Sequence, residues 1–107
     1  MGTISDVKPE ASMPPVSFGL GEGFPNPFNP VVTIPYTLAE RTPVRLSVYD
    51  ILGREVAVLV SETMNPGTYS VQWNASALSS GVYFSRLTAG SQTAPAFTAT
   101  KKLILLK

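Results

Sequence analysis

The sequence predicts an all-β protein, an Ig-like antiparallel β-sandwich of about seven strands. Three observations carry that prediction. Apolar and polar residues alternate with period two along several short stretches. Turn signals built from Gly, Pro and Asn fall between those stretches at intervals of about ten residues. No stretch sustains the 3.6-residue period of an amphipathic helix. Composition agrees: 107 residues, 44% apolar and 14% charged, make one globular domain of ordinary size with enough apolar side chain for a packed core.

Taken in order, residues 1–23 hold prolines at 9, 14 and 15 and glycines at 19, 21 and 23 without a sustained period. They read as a Pro/Gly-rich linker of extended character, with 16–20 docking on the domain that occupies 24–107. Residues 24–30 (FPNPFNP) place prolines at alternate positions. Each fixes its own φ and drives its predecessor to extended backbone, so the segment is a stiff clamp presenting Phe24 and Phe28 to the core, with Asn26 and Asn29 closing Asx turns.

Residues 33–38 alternate Ile34, Tyr36 and Leu38 inward with Thr33, Pro35 and Thr37 outward. Pro35 lacks a ladder donor, so this strand lies at an edge or that position faces no neighbour. Residues 44–49 repeat the pattern with Val44, Leu46 and Val48 inward. DILGR at 50–54 then turns, with Gly53 as the positive-φ residue, and 55–60 returns as the second strand of a hairpin. Asn65-Pro66-Gly67 is a turn signal ahead of a strand over 68–73, where Trp73 lies in phase with Tyr69 and Val71 and reads as a core pivot. A short polar crossing, 74–80, leads to a strand over 81–87, a loop centred on 89–95 and a final strand.

Composition also narrows the function classes. The chain has no Cys and no His, so a disulfide framework, the commonest metal ligand and the commonest general base are all missing. The nearest carboxylate pair, Asp50 and Glu55, brackets a turn and reads as a turn-closing acid plus a solvated strand start. No acidic cluster suits calcium, and the glycines at 19, 21 and 23 precede no helix that would cradle phosphate. The chain therefore reads as no enzyme, with no catalytic or metal site and no cofactor. No apolar run approaches the ~20 residues of a membrane-spanning helix.

Net charge is +1, unevenly spread. Residues 1–62 carry all seven acids against four bases, whereas 63–107 carry Arg86, Lys101, Lys102 and Lys107 and no acid. Four cations are thin for nucleic acid, which is not expected as a partner. The last third, 81–107, opens on a Gly-x-Tyr strand and closes on KKLILLK, an ordered apolar strand fringed by lysines. Two readings of those lysines stand side by side: recognition by a partner, or solubility of an edge strand.

Several pieces in order carry a family resemblance: FPNPFNP with Thr33-Ile34, VRLSVYDILGREV, NPGTYSVQW, SGVYFSRLTAG and TKKLILLK. From about residue 24 to 107 the chain resembles the C-terminal sorting domain of type IX secretion, and its relative, the Ig-like domain of flagellar hook-capping proteins. The terminal KKLILLK suits the first of these better. The resemblance implies a noncatalytic signal and anchoring module joined to an upstream cargo, a hydrolase in many cases. The parent would pass the periplasm, cross the outer-membrane translocon and reach the cell surface. A sortase-like protease would cut ahead of Phe24. It further implies export-relevant binding residues at Gly81, Tyr83, Lys101, Lys102 and Lys107. One departure is the stretch 91–99 (SQTAPAFTA), longer than the usual connection, which leaves the register of the final strand open.

A rival from another class is a carbohydrate-binding module of a glycosidase, resting on Tyr36, Tyr49, Tyr69, Trp73, Tyr83 and Phe84 as stacking platforms. A scaffold without a specific receptor is the third reading.

Overall fold

A computed structural model describes residues 17–91 and 93–107; the stretch 1–16 expected to be linker lies outside the described residues. Seven strands follow one another: β1 (Gly19–Leu20), β2 (Val31–Leu38), β3 (Thr42–Asp50), β4 (Glu55–Met64), β5 (Gly67–Asn74), β6 (Gly81–Gly90) and β7 (Pro95–Leu105). They form two antiparallel sheets, ordered β1-β2-β5 and β4-β3-β6-β7. In immunoglobulin letters that is ABE against C′CFG, so the Ig-like sandwich expected from the sequence is the observed fold.

The period-two pattern is what builds it. In β2 the residues Val32, Ile34, Tyr36 and Leu38 are buried while those between them stay partly exposed. Across the sandwich these buried residues face Val44, Leu46 and Val48 of β3, Tyr83 and Leu87 of β6 and Leu103 and Leu105 of β7, side by side in the second sheet, within one buried cluster. Trp73 is its pivot, as predicted, with ring centroids 5.7 Å from both Phe28 and Tyr83. Tyr36 stacks on its cross-strand partner Tyr69 at 5.5 Å.

Pro35 sits in a central strand, yet its missing donor costs nothing in the ladder to β5. The proline's nitrogen faces β1, which ends at Leu20; Gly21 then donates to the Pro35 carbonyl at 2.8 Å. The DILGR turn is also as expected. The Asp50 carboxylate accepts from the Leu52 and Arg54 amides at 2.9 and 3.0 Å, and Gly53 takes φ +82°.

The structure departs from expectation in the last hairpin. Strand β6 runs on to Gly90 and β7 begins at Pro95, so residues 95–99 of the stretch that looked like a long insert are ladder, with Leu87 opposite Ala99 and Ala89 opposite Phe97. Period two continues through it: Phe97 and Ala99 stay on the inner face, and Phe18 caps Phe97 at 5.7 Å. The hairpin closes through an irregularity at Gly90, whose φ of +106° and 2.6 Å clearance to the Ala96 nitrogen admit no Cβ.

The clamp at 24–30 also differs from expectation in detail. Phe28 is buried, but Phe24 is 56% exposed. Phe24 exchanges two backbone hydrogen bonds with Thr33, an outward position of β2, so both side chains share the outer face. Asn26 closes no Asx turn. Its amide donates to the Lys102 carbonyl at 3.0 Å, and its oxygen accepts from the Ile104 amide at 2.9 Å. Phe28 adds two backbone bonds, to the Ile104 carbonyl and from the Leu106 amide. The clamp thereby pairs with the outer edge of β7.

Candidate functional site

Two of the pieces that carry the resemblance, VRLSVYDILGREV and SGVYFSRLTAG, meet at one end of the sandwich. The β3–β4 turn and the 75–80 crossing face each other across a cleft of about 450 Å³, walled by Asp50, Ile51, Leu52 and Val56 on one side and Leu78, Gly81 and Tyr83 on the other. Gly81, the first residue of β6, forms part of this wall.

Tyr83 supports the cleft from beneath. Its ring is buried against Trp73, and its hydroxyl donates to the Ser79 carbonyl at 2.7 Å. A tyrosine at the start of this strand bonded to the backbone four residues upstream is the tyrosine corner of Ig sandwiches. It ties the crossing to the sheet.

The lysines separate into three environments. Lys107 belongs to the cleft end: its ammonium donates to the Ser76 and Leu78 carbonyls at 2.7 and 2.9 Å, and its amide to Ser80 Oγ at 2.9 Å. Lys101 is not on the solvent side of β7. It shares the inner row with Leu103 and Leu105, half-buried, and reaches out at the open side of the sandwich to Glu22, 3.2 Å away. Lys102 alone stands exposed on the outer face, opposite Phe84. Gly81, Tyr83 and Lys107 are thus brought together, whereas Lys101 and Lys102 lie farther along β7.

Sequence reasoning missed Ile51 and Leu52. They were read only as turn residues, but they stand 70% and 73% exposed at the lip of the cleft. The signal was available: two large aliphatic residues occupy a tight turn where polar residues are the rule.

Charges here are internally matched. Hydrogen bonding by the Arg54 amide, together with the Arg54 guanidinium and the Leu52 amide, holds the Asp50 carboxyl below its usual range. Arg45, whose Nη2 donates to both carboxylate oxygens at 2.9 Å, does the same for Glu55. Of the aromatics on which sugar stacking would rest, Tyr36, Trp73 and Tyr83 are buried and Tyr69 lies against Tyr36, which leaves Tyr49 and Phe84 half-exposed.

A family model described as the secretion system C-terminal sorting domain matches residues 22–105. The chain belongs to that family. It is a sorting signal of type IX secretion, a class of signal modules that are generally noncatalytic, attached to a cargo protein and directing it toward the cell surface. The match begins at Glu22, the partner of Lys101, and runs through the clamp and all of β7. No curated protein and no solved structure matches the chain. Among the described residues, no helix is long and apolar enough to cross a membrane.

Proposed function

We propose that this sorting domain is read at its cleft end by the outer-membrane translocon of type IX secretion. Ile51 and Leu52 would supply the apolar contact, and Gly81 the open wall beside it. The observation that supports this reading is the pair of exposed aliphatic side chains on the lip of a cleft that two of the resemblance-bearing pieces, VRLSVYDILGREV and SGVYFSRLTAG, build together. Exposed apolar side chains at a concave site mark interaction surfaces rather than packing.

Tyr83 and Lys107 act as positioning residues. The first fixes the crossing through Ser79, and the second gathers the Ser76 and Leu78 carbonyls. Lys101 holds the segment ahead of the clamp through Glu22, and Lys102 is the lysine available to a receptor. The domain, taken as 24–107 with β1 docked on it and the stretch ahead of β1 as tether, carries an upstream hydrolase through the outer membrane to the cell surface. A sortase-like protease cuts in the tether.

A reporter protein bearing a secretory signal, fused ahead of the full 107-residue chain, tests this in a bacterium with a type IX system. Surface display should require the translocon, and Lys102→Gln should lower display while leaving stability within about 0.5 kcal/mol. Equal display in a translocon-deficient strain would overturn the assignment.

A further inference from the structure

Among the described residues, the outer edge of β7 is occupied along only half its length. Ile104 directs both backbone groups away from β6, since its carbonyl accepts from Phe28 and its amide donates to Asn26. In an antiparallel ladder such groups alternate, and the β6–β7 register is continuous from Leu105 back to Phe97. Lys102, Thr100 and Thr98 therefore present their backbone groups to the same edge. The Lys102 carbonyl is taken by Asn26. Among the described residues, the Lys102 amide and both backbone groups of Thr100 and Thr98 have no partner. The result is a run of five strand-spaced polar groups immediately beyond the clamp.

The charge around this run is one-sided. Strands β6 and β7 contain no acid. Arg86, opposite Thr100, is exposed on the outer face, and Lys102 follows two residues along the edge. The nearby Arg45 and Glu55 neutralise each other, so they offset neither cation.

From these two observations we infer that Thr98, Thr100 and Lys102 form a β-strand addition site for an extended partner segment carrying an acidic residue beside Lys102. Backbone pairing supplies the affinity. The Lys102 and Arg86 charges choose the segment and its register, as opposite charges do between neighbouring strands. The clamp sets the limit of the site, because Asn26 and Phe28 already fill the next positions. This edge is distinct from the cleft and shares only Lys102 with the reading above, and the peptide test below involves no translocon, so its failure and the failure of that reading are distinguishable.

The test uses the isotopically labelled full chain and two capped eight-residue peptides, one alternating valine with glutamate and one alternating valine with lysine. Without peptide, the Thr98, Thr100 and Lys102 amides should exchange rapidly. The glutamate peptide should slow all three by about tenfold or more, and the lysine peptide should not. Thr100→Pro removes one edge amide while sparing the ladder to β6, so it should abolish this protection with the other β6–β7 amides unchanged. Lys102→Glu should reverse the preference between the peptides. Several results would overturn the inference: protection already present in the free chain, protection that rises with protein concentration alone, no response to either peptide, or a response confined to β4. The first two would assign the edge to the chain's own N-terminal stretch or to a second copy.

Discussion

Tyr83 shows how a residue of a sorting motif acts through packing. Its ring lies under Trp73 and its hydroxyl holds the Ser79 carbonyl, so Tyr83→Phe should cost about 1 kcal/mol in urea unfolding and leave the fold intact. A loss below about 0.3 kcal/mol would mean that the corner bond is idle. Asp50 and Glu55 make a second prediction at this scale, in pH. Both are held below their ordinary pKa in the folded chain, so the unfolded chain binds their protons more readily. The stability they contribute is present above the unfolded carboxylate range, near pH 4, and is lost as pH falls through the lower folded values. With no His or Cys in the sequence, stability should stay flat between about pH 6 and 8 and fall below about pH 4. Urea midpoints across that range would check it, and Asp50→Asn should make the acid limb shallower.

Among the elements, β7 carries the most information, because it is paired on one edge by β6 and along part of the other by the clamp. Asn26→Ala removes two bonds to that edge and should cost about 1–2 kcal/mol, with faster exchange of the Ile104 amide as the local signature. An unchanged Ile104 amide would show that Asn26 does not close the edge. Strands β2 and β3 were legible from the sequence because one face of each is apolar and buried and the other polar, Ser47 of β3 being buried on that polar face, so a period of two is written into their residues. The continuation of β7 over 95–100 was not legible. Pro95, Ala96 and Ala99 are small or turn-like, and only the pairing with β6 reveals them as strand. Asn26 was misread for a related reason: a side-chain amide bonding a strand 76 residues away leaves no trace in local sequence.

For the whole molecule, the sandwich brings sequence-distant pieces to two places. The cleft end collects the DILGR turn, the Gly-x-Tyr strand and Lys107, and the side of β7 collects the clamp, Glu22 and Lys101. The lysines looked like a single fringe because sequence gives their proximity but not their phase. Alternation along β7 puts Lys101 inside and Lys102 outside, and Lys107 folds back onto the crossing. Ile51 and Leu52 are the counterpart, conspicuous by residue type and yet assignable to a surface only once the cleft is seen. The most direct test of that surface is display of a reporter fused ahead of the chain, comparing the native sequence with an Ile51→Asp, Leu52→Asp double variant whose urea midpoint matches it. Retention of the variant in the periplasm, with normal display of the native fusion, is the predicted result. Equal display of both would contradict the reading of the cleft as the place where this sorting signal is recognised.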